Sequence, residues 1–262
     1  MTTVSQIYEY IDSFAPYRTQ DEWDNAGLLV GDGSQSVSKV LLALDATNKV
    51  IKEATELGCS LILTHHPVIF TPLRSLTEDN PACNMLKSGI ACICTHTNLD
   101  SAEYSISDMM CDRLGLKNTH TLMEVNRFDS VTGRPVGYGA IGECSGAGMT
   151  PWQLAKLCRE KFGCVAIKYV AGDRQIKHVG MISGAGGEGI EKARELGLDA
   201  FISSEIKHHQ FLEAERIGVT LIDAGHYETE AIAMEYLKKK LEAQFPQNEF
   251  ILARTPFAGC TV

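Results

Sequence analysis

The chain has 262 residues, of which 44% are hydrophobic and 22% are charged, which suits one large or two modest globular domains and fits neither a fibrous nor a membrane protein. The formal net charge of −9 works against attraction to a phosphate backbone, so nucleic acid is not expected as a partner. Nine scattered cysteines without a CxxC pair, and the lack of a signal peptide or a long apolar stretch, predict a cytoplasmic protein with no disulfide framework, zinc ribbon or membrane partner.

The first part of the chain alternates between helices and buried strands. An amphipathic helix is predicted over residues 4–14, before Pro16, and WDNAGLLVGD follows as a turn into a short strand. The next predicted elements, in chain order, are a strand at 40–44, a helix at 48–57, a strand at 61–63, a helix at 83–88, a strand at 90–94 and a helix at 105–114. Such βαβ alternation predicts a mostly parallel sheet.

The pattern changes between residues 119 and 148, where two strand-like runs at 121–125 and 136–143 have glycine-rich connections. We interpret this segment as a domain crossover. Helices are then predicted at 151–162, 190–196, 206–216 and 229–245, and strands at 165–169, 179–182, 200–202 and 219–222. The sequence therefore predicts two α/β domains with mostly parallel sheets, the first formed by residues 1–125 and 220–262 and the second, smaller one by 126–219.

Histidines and carboxylates follow three of the predicted strands. The motif THHP places His65 and His66 directly after one strand, and THTNLDSA places Asp100 after another. In DAGHYETE, His226 and Glu230 lie four residues apart at a helix start, so both can share one face. Because ligands of open α/β sheets collect at the carboxyl ends of strands, we expect a metal site in the cleft at these ends.

The residue types do not select the metal. Imidazole and carboxylate together suit Zn, Fe, Mn, Co or Ni.

The segment THTNLDSA also contains His96 and Asn98, which would lie beside the histidine pair if the strands are neighbours. Each group has a structural alternative, since adjacent histidines can be a surface or capping pair, Asp100 a turn residue, and a histidine four residues before a glutamate an ordinary helix pair. The residues alone leave both interpretations open.

Six segments, taken in order, resemble the successive signatures of the NIF-three-like family, also called GTP cyclohydrolase I type 2 homologues: WDNAGLLVGD, LTHHPVIF, CTHTNLDSA, SGAGGEG, DAFISSEIKHH and DAGHYETE. They span nearly the whole chain. In that family two metal ions are held by the HHP histidines, the aspartate of the T-H-T-N-x-D run, and the His and Glu of GH-x-x-x-E. The resemblance therefore implies two divalent metal ions per subunit, with His65, His66, Asp100, His226 and Glu230 as the ligands.

The resemblance also implies an assembly and an activity. The family forms toroidal hexamers, which implies a homohexamer here, and this chain is too short for the inserted domain of larger members. The family label implies a metal-dependent hydrolase that acts on a small-molecule substrate, GTP or another nucleotide, through a metal-activated water. The alternative is a non-enzymatic, metal-binding oligomeric scaffold.

A glycine-rich loop offers a rival interpretation. Gly184, Gly186 and Gly189 spell GxGxxG between a predicted strand and a helix, and Glu205 follows at about the distance of a ribose-binding acid. This pattern is typical of a dinucleotide site and keeps an NAD(P)- or flavin-binding oxidoreductase as a further alternative. The family resemblance accounts for the same residues as a wall of the cleft, without nicotinamide or flavin.

The segment SSEIKHHQ supplies candidate catalytic residues. Glu205 and His209 are predicted as proton shuttles and Lys207 as a phosphate contact, against the alternative of a polar helix start with solvated side chains. Near the N-terminus, we interpret Trp23 as a packing residue, with base stacking as the alternative, and Asn25 as a turn residue, with a contact to the site as the alternative.

Overall fold

The computed structural model describes residues 1–254, which fall into two compact units. Within the described residues, unit 1 comprises Met1–Glu103 and 233–254, and unit 2 comprises Tyr104–Ile232. Both units are of the α/β class, as predicted, and their sheets are mixed with parallel cores. Within residues 1–254, no helix combines the length and the apolar character that crossing a membrane requires.

The secondary structure consists of strands and helices that alternate through most of the chain. The strands are β1 (Thr2–Thr3), β2 (Gly27–Val30), β3 (Ser36–Val37), β4 (Lys39–Ala43), β5 (Leu61–Thr64), β6 (Ala91–Cys94), β7 (Lys117–Phe128), β8 (Pro135–Glu143), β9 (Lys168–Val170), β10 (His178–Met181), β11 (Ala200–Ser203), β12 (Thr220–Asp223) and β13 (Glu249–Leu252). The helices are α1 (Val4–Asp12), α2 (Asn48–Leu57), α3 (Pro81–Lys87), α4 (Thr97–Asp100), α5 (Ile106–Leu114), α6 (Pro151–Phe162), α7 (Gly189–Glu195), α8 (His208–Ile217), α9 (His226–Glu230) and α10 (Ile232–Gln244), with a 3₁₀ turn at Tyr17–Thr19.

Capping chemistry sets several helix boundaries. Thr3, Ser105 and Thr150 each form a capping box at the start of α1, α5 and α6, in which the side chain accepts an amide of the first turn. Helix α2 begins after Thr47 and ends at Gly58, whose φ of 71° is the left-handed conformation that closes helices. These local signals are why α2 and α6 begin and end where the sequence predicts.

Unit 1 is built on a five-stranded sheet in the order β13-β4-β5-β6-β2. The first four strands are parallel, and β2 runs antiparallel along β6. Every residue of β5 and β6 is buried, which explains why these strands are apolar without alternation. The carboxyl ends of β4, β5 and β6 therefore lie side by side at one edge. A separate two-stranded pair joins β1 to β3.

Unit 2 is built on a six-stranded sheet in the order β7-β8-β10-β11-β12-β9. Its central strands β10, β11 and β12 are parallel, whereas the long hairpin β7–β8 and the edge strand β9 are antiparallel to their neighbours. Phe201, fully buried on β11, lies in an apolar cluster with residues of α7 and α8. Here too, three parallel strands end side by side.

The structure differs from the sequence-based expectation at three places. The helix predicted over 229–245 is two helices, since α9 ends at Glu230 and α10 begins at Ile232. The strand predicted at 165–169 lies at Lys168–Val170, where it pairs with β12. Residues 104–125, β12 and α9 belong to unit 2, although the predicted first domain comprises residues 1–125 and 220–262. The reason is that β7 pairs with β8, and β12 pairs with β11 and β9.

Candidate metal centre

Three histidines of unit 1 meet where neighbouring parallel strands end. His65 and His66 follow β5, and His96 lies two residues beyond β6. Ring centroids are 5.1 Å apart for His65 and His66, 5.1 Å for His65 and His96, and 5.6 Å for His66 and His96. One candidate ligand atom from each lies within 4.8 Å of the other two. We call these residues the unit-1 histidine cluster.

Adjacent histidines reach the same cluster because the strand ends before them. In extended backbone, neighbouring side chains point to opposite faces. Strand β5 ends at Thr64, and the amide of His66 instead donates to the carbonyl of Leu44 at 3.0 Å. The rings of His65 and His66 are consequently tilted by only 46° and lie together.

The first two imidazoles of the cluster are held by hydrogen bonds at Nδ1. His65 Nδ1 lies 2.8 Å from the carbonyl of Thr95, and His66 Nδ1 lies 2.8 Å from Oδ1 of Asp45. A carbonyl or a carboxylate oxygen can only accept, which assigns the ring proton to Nδ1 and the lone pair to Nε2. This is the arrangement in which outer oxygens orient histidines that ligate metals.

The third imidazole is anchored on a buried carboxylate. His96 Nδ1 lies 2.8 Å from Oδ1 of Asp24, whose side chain is fully buried. The amide and the hydroxyl of Thr97 donate to the other carboxylate oxygen at 3.1 and 2.5 Å. Burial alone raises the pKa of Asp24, but the hydrogen bonds from His96 and Thr97 outweigh it and lower the pKa to about 2. Asp24 is therefore ionised near neutral pH and fixes the orientation of His96.

The predicted aspartate ligand lies beside the buried histidine. Asp100 is the last residue of α4, and its Oδ2 is 3.8 Å from Nε2 of His65. Two ligand atoms that are each about 2.1 Å from one ion are at most about 4.2 Å apart. The spacing of His65 and Asp100 therefore suits a shared ion.

In unit 2, the predicted His and Glu ligands face one another across one turn of α9. Nε2 of His226 is 3.0 Å from Oε2 of Glu230. Glu230 is buried, with an exposed fraction of 5%. Nδ1 of His226 lies 2.9 Å from Oε1 of Glu205. Glu205 has a φ of 53°, a left-handed conformation that costs an L residue about 1–2 kcal/mol. The ring proton of His226 is thus assigned to Nδ1, as it is for His65 and His66 in unit 1.

The glycine-rich loop of unit 2 packs against these ligands. A Cβ on Gly184 would lie 2.0 Å from Oε1 of Glu230, so only glycine leaves room for that carboxylate. The amide of Gly184 donates to Thr229 Oγ1 at 3.1 Å, and the amide of Gly186 donates to Ser203 Oγ at 2.9 Å. These amides are bonded within the protein, so the loop does not offer them to a phosphate as a dinucleotide-binding loop does.

The donor set of each unit fits a divalent transition metal. Unit 1 supplies imidazole nitrogens with one carboxylate, and unit 2 supplies one imidazole with one carboxylate. Both combinations suit Zn, Fe, Mn, Co or Ni. The spacings of 3.8 Å and 3.0 Å between imidazole nitrogen and carboxylate oxygen both lie within the reach of one ion.

Several residues lie elsewhere than the sequence suggests. Glu205 contacts His226, whereas Lys207 and His209 are exposed at the start of α8. Trp23, interpreted as a packing residue, is 60% exposed. Asp45, which orients His66, was not singled out, although it follows the buried strand β4 just as the histidines follow β5.

The comparisons with known proteins agree with the motifs. The DUF34/NIF3 (NGG1p interacting factor 3) family model matches residues 2–256. A GTP cyclohydrolase 1 type 2 homolog of Clostridium perfringens is 31% identical over 97% of this chain and 98% of its own length.

Solved structures show the same fold. A Bacillus cereus protein related to NIF3 is similar with a TM-score of 0.88 at 20% identity, covering 100% of this chain and 99% of the other. Reduced HcgD from Methanocaldococcus jannaschii is similar with a TM-score of 0.81 at 26% identity, covering 97% of this chain and 98% of the other. Because the family model matches nearly the whole chain, the chain belongs to the DUF34/NIF3 family.

Proposed function

We propose that the chain is a metal-dependent hydrolase that binds two divalent metal ions per subunit through His65, His66, Asp100, His226 and Glu230. The proposed substrate is a small molecule, GTP or another nucleotide, as the name of the Clostridium perfringens relative suggests. One observation carries the metal-binding part: all of the proposed histidine ligands have an oxygen at Nδ1, which leaves Nε2 to ligate.

Within each unit the protein's own residues prepare these ligands. Thr95 and Asp45 hold two imidazoles of unit 1 in one tautomer, and Glu205 does so in unit 2. Metal ions held there would supply Lewis acidity, which lowers the pKa of water and polarises the bond under attack. We propose Glu205 chiefly as the residue that positions His226, while His209 as a proton shuttle stays a prediction.

Elemental analysis tests the metal proposal. Protein purified without a metal-affinity tag and dialysed against metal-replete buffer should hold two ions per chain, and His65→Ala should lose metal. His120→Ala is the matched control, because His120 is an exposed histidine of β7 and should keep the metal content unchanged. Less than one ion per chain in the wild type would contradict the proposal.

The position of Glu205 gives a second, graded test. Glu205→Gln removes the charge that orients His226, so metal affinity should fall by about 10- to 100-fold, as is usual for partners of metal-ligating histidines. Glu215→Gln, on the exposed face of α8, is the control and should bind metal like the wild type. Equal affinities in all three proteins would exclude a positioning role for Glu205.

Hydrolysis is tested separately from metal binding. The metal-loaded protein should release formate from GTP or phosphate from a nucleotide, and His65→Ala should abolish the release. Two bound ions without turnover of GTP, other nucleotides or phosphodiesters would favour the metal-binding scaffold instead.

We further propose that the protein assembles as a homohexamer and works in the cytoplasm. Light scattering coupled to size exclusion tests the assembly. The location is supported by the cysteines, since all eight in residues 1–254 are free thiols, as a reducing compartment favours. Localisation of a tagged chain in cells tests it.

A further inference from the structure

Two large aromatic side chains stand exposed beside the unit-1 histidine cluster. Trp23 is 60% exposed and Phe70 is 51% exposed; Trp23 lies on the loop before β2, and Phe70 lies on the loop after β5. Their ring centroids are 5.8 Å apart. Each also meets His96 edge to face, Trp23 at 6.1 Å and Phe70 at 6.4 Å between centroids. The two rings therefore converge on one imidazole of the cluster.

The loops that carry these rings are tied down on both sides. Asp24, next to Trp23, accepts hydrogen bonds from His96 and Thr97 with a fully buried side chain. The side-chain amide of Asn25 donates to the carbonyl of Ile69, next to Phe70, at 2.6 Å. Trp23 and Phe70 are thus held in place by their neighbours while their own rings remain open to solvent.

The ring geometry leaves stacking surface available. Trp23 and Phe70 are tilted by 52° and are not stacked, so neither ring lies flat on the other. An aromatic surface of this kind suits the face of a planar ring, because every nucleobase stacks on an indole regardless of its edge groups. A ring on Trp23 would remain beside His96, given the 6.1 Å between their centroids.

We propose that Trp23 and Phe70 form a stacking platform for the purine ring of a nucleotide and thereby favour nucleotides over sugar phosphates that lack a base. The proposal rests on the proposed function, because it gives the metal-dependent hydrolase its substrate class. Trp23 and Phe70 act by binding, and they take no part in bond breaking.

Equilibrium binding tests the platform with the metal-loaded protein. The probes are GMP and ribose 5-phosphate, which has the same sugar phosphate without the purine. Trp23→Ala should weaken GMP binding about 5- to 100-fold, the loss expected from one base-stacking contact, while Trp23→Phe should stay within about threefold of the wild type. Ribose 5-phosphate should bind all of these proteins alike. Trp152→Ala is the matched control, since Trp152 is also 60% exposed but lies on α6 of unit 2.

Fluorescence adds a direct readout of contact. The chain has two tryptophans, so Trp152→Phe leaves Trp23 as the only indole. GMP should quench that emission, and it should leave the emission of Trp23→Phe, which reports Trp152, unchanged.

The outcomes separate this proposal from the proposed function. Failure of the wild type to bind GMP, or equal GMP affinity in wild type and Trp23→Ala, overturns the platform even if some substrate is hydrolysed. Stacking-dependent GMP binding without turnover of any nucleotide supports the platform and overturns the hydrolase.

Discussion

Replacing Asp24 by asparagine should destabilise the protein by about 2–4 kcal/mol. One carboxylate oxygen of Asp24 accepts from Asn25 N at 2.7 Å and from His96 Nδ1 at 2.8 Å, and the other accepts the amide and hydroxyl of Thr97. The side-chain amide of asparagine has only one oxygen. Whichever way that amide is turned, one of the two sets of donors faces its NH₂ group instead of an acceptor. Hydrogen bonds to a buried charge contribute about 1.5–3 kcal/mol each, and the Thr97 hydroxyl can turn to accept, which limits the loss.

The same substitution should change the acid limb of the stability curve. The pKa of Asp24 is about 2 in the folded state against an ordinary value of 3.8, so its ionised form favours folding above pH 3.8. That contribution, about 2 kcal/mol, is lost as the pH falls from 3.8 through 2. Between these values the wild type should lose more stability than Asp24→Asn does.

Urea unfolding at pH 7 and at steps from pH 5 to pH 2.5 measures both effects. Asp32→Asn is the control, because Asp32 is an exposed carboxylate that also accepts a backbone amide, from Ser34 at 2.8 Å, and its loss should have little effect. If Asp24→Asn unfolds at the wild-type urea concentration and with the same pH dependence, the buried carboxylate does not anchor His96 and Thr97 as described.

Two further predictions concern unit 2 and the cysteines. Gly184→Ala should reduce metal content, because its Cβ would lie 2.0 Å from Oε1 of Glu230. The control is Gly146→Ala, where φ is also positive but nothing lies within 4 Å; it should cost only about 1 kcal/mol of backbone strain and keep the metal. Elemental analysis of both variants decides this. Alkylation at pH 8 should modify the half-buried Cys83 well before Cys92 and Cys111, because burial raises the pKa of the latter two thiols to about 12. Peptide mass spectrometry measures the modification of each cysteine. Modification of all three at equal rates would contradict the burial of Cys92 and Cys111.

The sequence was sufficient for the features that depend on local patterns. The helices α2 and α6 have capping residues at the predicted starts and glycines directly after their ends, and β5 and β6 are apolar throughout because both of their faces are buried. Histidines at strand ends were identifiable for the same reason, since parallel neighbours bring their carboxyl ends to one edge.

The features that the sequence did not reveal depend on contacts between distant residues. Asp24 and His96 are 72 positions apart, and only the folded structure shows that one orients the other. Strand β13 pairs with β4 from the far end of the chain, and no turn signal links them. The exposure of Trp23 likewise follows from how its loop is anchored, and the residue type alone does not predict that exposure.

Both units prepare their proposed ligands in the same way. In each, three parallel strands end side by side, a histidine follows one of those ends, and an oxygen from a neighbouring segment holds its Nδ1. The sheet sets the position of each proposed histidine ligand, and the oxygen at Nδ1 sets its tautomer. Changing an orienting oxygen should therefore weaken metal binding by degrees, whereas changing a ligand should abolish it. In unit 1 the oxygen that orients His96 belongs to the residue next to Trp23, so the proposed stacking platform and the histidine cluster depend on the same buried carboxylate.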